Sequence, residues 1–356
     1  MVKYQLLENQ TSKKTEKMKK IKYYIFFLLG AAMIASCDNE LTEDVKMGIR
    51  VEQDGVSMQG DVVTVKAGTP VVFNFSGDPD NIMFYSGEPG AVYAHRQRTE
   101  VAPEDIESAT LHFKIGTQYG KVYENTLEMF VSDQFEGLAK NDFKKDSVLV
   151  EQFAWNELVA KSELPDKPSI QKEYSVDVTK YLGKPMTLAI HYQAIDDNKN
   201  SMPRYNFSEM YIENVRKDGI VSKFMPSQYG FTAVNMMCNH NLKSQAGMKT
   251  NREYGTMTNN TAGIWNLVNA QNGGFYIAGG GKNTGNKNGW LVSDGLITTY
   301  CDPDQGTVIK NITQNVESYT HTYNKVGEYK ATFIATRVNY KHDSRMMKEL
   351  TIKVVE

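Results

Sequence analysis

The chain has 356 residues, with 40 Lys and Arg against 42 Asp and Glu, giving a formal net charge of −2. That length accommodates two domains, each with a core of its own. Discounting residues 1–36 removes seven Lys and two Glu, which leaves 33 basic against 40 acidic residues, a net charge of −7; this argues against nucleic acid as a partner, since its phosphates favour a basic face.

Residues 1–17 are polar, and from Met18 the chain has a basic start, an apolar run from Tyr23 to Ser36, and a cysteine at position 37. This is the pattern of a bacterial lipoprotein signal. The run falls short of the roughly 20 residues that a spanning helix needs, so it is predicted to be cleaved and not retained. Ile34-Ala35-Ser36-Cys37 serves as the lipobox, with Ile where Leu is commoner and Ser where Gly or Ala is commoner. Residues 1–37 are therefore expected to be leader and signal, with Cys37 the lipidated residue that anchors the protein in the outer membrane. Residues 38–46 form an acidic, flexible linker with no apolar period. The acidic run Asp38 to Asp44 is similar to the surface-export signal of Bacteroidetes-type lipoproteins, which implies exposure to the cell exterior. Read as a solvated tether alone, it implies no side.

Beyond the linker, sustained helical periodicity is nearly absent. Short alternating or apolar runs bounded by Gly, Asn, Asp and Pro recur instead: Val62 to Val65, Val71 to Phe75, Leu127 to Val131, Met186 to Tyr192, Tyr329 to Ala335 and Leu350 to Val354. In Glu328 to Ala335, Tyr329, Ala331, Phe333 and Ala335 fall on one face and Lys330 and Thr332 on the other, as in a half-buried strand. The chain is predicted to be all-β. Residues 47–93 hold about four strands and residues 317–356 about three, too few apart for two facing sheets and enough together for one sandwich. Residues 103–315 are then an insertion, which is tolerated where loop ends lie close together.

Tyr319-Thr-His-Thr-Tyr323-Asn-Lys-Val-Gly327-Glu-Tyr329-Lys-Ala-Thr-Phe333 resembles the terminal hairpin of PKD-type immunoglobulin-like domains. Val71 to Gly90, together with Asp302-Pro-Asp304-Gln-Gly306, resembles a Bacteroidetes-type surface lipoprotein family of unknown function, similar to proteins of starch-utilisation-type glycan uptake systems. The resemblance covers the signal, residues 60–93 and residues 301–356. It implies a discontinuous PKD-type sandwich with an inserted jelly-roll β-sandwich and an outer-membrane uptake complex as partner, and it carries no catalytic residues. Within the insertion, Glu173 to Tyr192 and Phe207 to Val215 are similar to strands of galactose-binding-like jelly rolls, and Asn235 to Thr261 reads as long surface loops.

Chemistry-bearing motifs are sparse. Gly279-Gly-Gly-Lys-Asn-Thr-Gly285-Asn286 is a poor phosphate loop, because Asn286 stands where a Lys must meet phosphate; it reads as an Asn/Gly turn. Asp302 and Asp304 are candidate oxygens for a structural calcium, or members of an interdomain turn. Asp196-Asp197 reads as a hairpin tip. Cys238 and Cys301 are available for a disulfide in an oxidising compartment, and equally suit two buried thiols. The six histidines show no metal spacing. No nucleophile motif is present. Sugars present C–H faces ringed by hydroxyls, which aromatic rings with amide side chains hold. Trp155, Trp265, Tyr276 and Trp290, with Asn283, Asn286 and Asn288, are the candidate ligand-binding residues, although each ring also suits a core. The expected function is that of a non-catalytic, surface-anchored glycan-binding protein. A glycoside hydrolase or lyase, and a structural or adhesive protein, are the alternatives.

Overall fold

The computed structural model describes residues 43–236, 254–255 and 260–356. Cys37 with its signal, residues 38–42 of the linker, and Cys238 with its proposed pairing lie outside the described residues. The protein is mainly β, with largely antiparallel sheets, and its described residues divide into two compact units, those up to 96 with 304–356 and those between 97 and 303.

The first unit opens with β1 (Met47–Arg50), β2 (Val56–Gln59), β3 (Val62–Lys66), β4 (Pro70–Gly77) and β5 (Asn81–Tyr85). The second supplies β6 (Ile106–Gln118), β7 (Leu127–Ser132), the helix α1 (Phe143–Gln152), β8 (Asn156–Val159), β9 (Gln171–Asp177), β10 (Pro185–Ala194), β11 (Arg204–Arg216), β12 (Val221–Phe224), β13 (Thr232–Asn235), β14 (Thr261–Ala262), β15 (Trp265–Asn266), β16 (Phe275–Ile277), β17 (Lys287–Val292) and β18 (Leu296–Ile297). The chain then returns through β19 (Thr307–Lys310), β20 (Ser318–Thr322), β21 (Gly327–Val338) and β22 (Asp343–Val355).

In the first unit a sheet β1-β4-β20 faces a sheet β19-β5-β21-β22-β3-β2. Alternation decides what lies between them: Phe73 of β4 meets Phe84 and Phe333, while Val63, Leu350 and Ile352 fill the same core and Phe75 packs at its edge. One pairing is parallel, β22 with β3, bringing the C-terminal strand beside the third of the chain (Ile352 opposite Val63). The sequence boundary at 315 needs correction here. Thr307–Lys310 pairs with β5, so residues 304–315 belong to the first unit; four residues with both Val308 and Thr307 exposed carry too little alternation to show which sheet they join.

In the second unit the sheet β14-β15-β16-β11-β6-β9, with β12 on β11, faces the sheet β13-β17-β10-β7-β8, with β18 on β10. Leu111, Phe113 and Ile212 from the first meet Leu188, Ile190 and Leu291 from the second. The outer face of the second sheet is covered in turn. Val234, Ala189, Val292 and Trp290 point away from the main core and are capped by Phe135 and Val150, the latter from α1. That helix is capped by Asp142, whose carboxylate accepts the Lys145 N–H at 3.0 Å. Asp146, fully buried within it, accepts from Ala139 N–H and Lys140 N–H, each at 2.8 Å, and from the Tyr254 hydroxyl at 2.7 Å. Among the described residues no helix is long and apolar enough to cross a membrane.

Candidate functional site

Three connections of the second unit meet at one end of its sandwich: β6 to β7, β10 to β11, and β16 to β17. The register requires this, since Gln118 is opposite Arg204, Tyr192 opposite Leu127 and Ala194 opposite Lys287. Beneath them lies a cluster of buried tyrosines. Tyr192 donates to the Pro203 carbonyl at 2.8 Å, Tyr205 shares a 2.5 Å bond with the Thr126 hydroxyl, and Tyr123 donates to the Tyr119 carbonyl. Burial raises the pKa of all three phenols, so they stay protonated.

The β16–β17 connection is pinned from two sides. Asn283 N–H and Gly285 N–H donate to the Asp196 carboxylate at 3.1 and 2.8 Å, and Asn286 Oδ1 accepts the Asp196 N–H at 2.9 Å. The buried Lys287 ammonium donates to the carbonyls of Thr284 and Gly285 at 2.7 and 2.6 Å. Burial lowers the pKa of that lysine. The glycine-rich segment that failed as a phosphate loop is thus an anion cradle filled by the protein's own carboxylate. Asp197, the next residue, accepts Lys199 N–H and Asn200 N–H at 2.8 and 2.7 Å and Asn200 Nδ2 at 2.7 Å. These donors depress its pKa to about 2, so it is ionised. Asp196-Asp197 is a structural knot between two connections as well as a loop tip.

A cleft of about 410 Å³ opens between residues 121–126 and 193–203. Its rim carries Asn125, Gln193, Asn200 and Asp197, and its apolar part Val122 and Ile195, the latter 78% exposed. Beside it a recess of about 270 Å³ is lined by Tyr119, Arg204 and Met202. Tyr119 stands at φ 60°, a left-handed conformation that costs an ordinary side chain free energy. It is held there by the Tyr123 hydroxyl on its carbonyl and by Gly120, where a Cβ would meet Pro203. The ring is 63% exposed.

The sequence candidates scatter over this unit. Trp265 is fully buried in the main core, its Nε1 donating to Asn235 Oδ1 at 3.1 Å. Gly289 passes so close that an added Cβ would lie 2.8 Å from that oxygen. Trp290 is buried on the outer face of the six-stranded sheet, stacked on Trp155 (6.2 Å) and on the His191 ring (4.2 Å). Tyr276 lies on the outer face of the opposite sheet, covered by the Arg204 guanidinium at 3.8 Å and holding Asn266 through its hydroxyl. The four rings therefore form no common platform: alternate residues of a strand face opposite ways, and these strands belong to two sheets. Asn283 and Asn286 do lie at the loop end, whereas Asn288 is taken by His191 Nε2 at 2.8 Å. Asp302 accepts from the Tyr300 hydroxyl at 2.8 Å, a local contact, and the buried Asp304 accepts from Val92 N–H at 2.9 Å, joining the returning chain to the segment after β5. Among the described residues no group of three or more His, Cys, Asp or Glu is placed to hold a metal. Cys301 is buried. Tyr119, Ile195 and Asn200 were not singled out in the sequence; the only signal was Gly120 directly after Tyr119, marking a turn.

Near the same end, His191 Nδ1 lies 2.7 Å from Glu128 Oε2, and Lys161 pairs with the other oxygen of that carboxylate. His191 first, and then Lys161, pull the Glu128 pKa from 4.5 to about 2. A folded value below the unfolded one stabilises the fold above the unfolded value, and that gain is lost as pH falls through the folded value. Relative to Glu128→Gln, the wild type should be more stable by on the order of 2–3 kcal/mol at neutral pH. The difference should shrink below pH 4.5 and vanish near pH 2. Denaturant unfolding at several pH values checks this; a pH-independent difference would show that the pairing is absent.

The family described as Domain of unknown function (DUF5017) matches residues 36–232, and the chain belongs to it. The match spans the start of the first unit and runs through the second as far as the beginning of β13. No curated protein and no solved structure matches the chain.

Proposed function

We propose that this member of the DUF5017 family is a lipid-anchored, cell-surface, non-catalytic protein that binds a neutral glycan at the loop end of its second unit. The observation that carries the reading is the cleft with its neighbouring recess: an exposed tyrosine whose backbone is held by Tyr123, beside amide side chains and a small apolar wall, with the β10–β11 and β16–β17 connections pinned to each other by Asp196. A ring and apolar contacts suit sugar C–H faces, and amides suit hydroxyls. Pinning lowers the ordering cost of binding. Asp197 is held ionised, which suits accepting a hydroxyl hydrogen bond and does not suit donating a proton to a leaving group. In this reading the first unit is an immunoglobulin-like, PKD-type spacer and the second a jelly-roll-type binding module. Lipidation at Cys37 and the outer-membrane address rest on the signal sequence and the acidic residues after it, and association with an uptake complex rests on the resemblance carried by residues 60–93 and 301–356.

The test is an array of neutral polysaccharides probed with the purified protein, with a parallel assay of reducing-end release on every binder. Binding without cleavage is expected. Cleavage of a bound polysaccharide would replace this reading by a glycosidase, and retention of none would remove glycan as the ligand.

A further inference from the structure

We propose that the outer face of the six-stranded sheet in the first unit is a docking groove for an extended, acidic and apolar peptide segment of a partner protein. The register sets a row of apolar side chains across four strands: Val308 is opposite Met83, Met83 opposite Ile334, and Ile334 opposite Met347. Their neighbours Ile82, Phe84, Phe333 and Ala335 lie in the core, so the pleat turns this row outward. Val308 is 60% exposed and Met347 50%. Between these exposed ends Met83 is half-buried and Ile334, 6% exposed, forms the bottom of the row, so apolar surface is presented at the ends of the row, as at an interaction surface.

The groove, about 580 Å³, gets one wall from the chain after β5. There Tyr93 packs edge-on against Tyr85 at 5.2 Å, Arg96 lies 4.1 Å over the Tyr93 ring, and Arg345 Nη2 donates to the Tyr93 hydroxyl at 2.7 Å. Arg96 contacts the Tyr93 carbonyl and ring and Arg345 the Tyr93 hydroxyl, and Asp343 is the one carboxylate among the described residues that lines the groove. Two guanidinium groups at an apolar floor, in a chain whose charge is otherwise acidic, are complementary to carboxylates. A sugar fits poorly, because the Tyr93 face is already covered by Arg96, the Tyr85 ring is buried, and Met83, Val308, Ile334 and Val338 make much of the remaining lining apolar. An extended peptide fits well. Among the described residues β19 is the edge of its sheet, paired only with β5, so a strand added along it gains backbone hydrogen bonds and sets every second side chain toward the row.

The experiment is selection of displayed random ten-residue segments on the intact purified protein, repeated on the R96E/R345E variant and on R345K. Both arginines are exposed, so thermal melting should be unchanged and serves as the folding control. Enrichment of segments that combine Asp or Glu with aliphatic residues is expected. Their affinity should fall at least tenfold in R96E/R345E, fall less in R345K, and weaken with salt. Failure to enrich, enrichment without acidic residues, or enrichment insensitive to the charge reversals would overturn the proposal. So would two other outcomes that the same charge reversals abolish: binding only to vesicles containing anionic lipid, or self-association in sedimentation, each of which assigns the face to another occupant.

Discussion

Phe333→Ala is expected to lower the stability of the first unit by about 3–5 kcal/mol, the usual cost of removing a fully buried aromatic ring. The ring has no exposure and stands at the centre of four aromatics, 4.8 Å from Phe84, 5.1 Å from Phe73 and 5.8 Å from Phe75. Phe73 and Phe75 come from one sheet while Phe84 and Phe333 come from the other, so the substitution empties the layer that joins them. Because β21 pairs with both β5 and β22, neighbouring strands cannot collapse into the space without losing register. Chemical denaturation followed by fluorescence checks this, and a loss below about 1 kcal/mol would show that the two sheets do not share this core.

Trp265→Ala should destabilise the second unit by a similar amount, about 3–5 kcal/mol. Two effects act together there. The fully buried indole leaves a cavity in the main core, and the Asn235 carbonyl loses the donor it holds at 3.1 Å. The pairing partner Ile277 and the close pass of Gly289 fix the surrounding backbone, which limits relaxation. The variant should therefore fail by unfolding at lower denaturant, with any loss of ligand following from that. A variant that keeps its stability and loses a ligand would place Trp265 at a binding surface instead of in the core.

Period-two alternation made the strands legible. Val62 to Val65 lies in β3, Val71 to Phe75 in β4, Leu127 to Val131 in β7 and Leu350 to Val354 in β22, because in each case one sheet face is buried. The helix α1 escaped, although Asp142 is a good N-cap, because ten residues with apolar Val148, Leu149 and Val150 in a row give no clear 3.6-residue period. The binding end was legible only in part. Asn and Gly residues between Ala278 and Asn288 marked a loop, but nothing in the one-dimensional order shows that Asp196, 87 residues before Asn283, fills the cradle it makes. Nor does sequence tell which face a tryptophan takes. Trp265 and Tyr276 stand on adjacent strands of one sheet, and one points inward and the other outward. Tyr119 became visible only through its positive φ and its exposure, both products of tertiary packing against Tyr123 and Pro203.

The central claim is that the loop end around Tyr119 holds a neutral glycan, and calorimetric titration of wild type and Tyr119→Ala with the oligosaccharide chosen from the array tests it most directly. The ring is exposed, so its removal should leave the melting temperature unchanged while weakening binding by about 1–3 kcal/mol, roughly fivefold to 150-fold. Equal affinities for wild type and Tyr119→Ala would contradict the account and move the ligand away from this end of the sandwich.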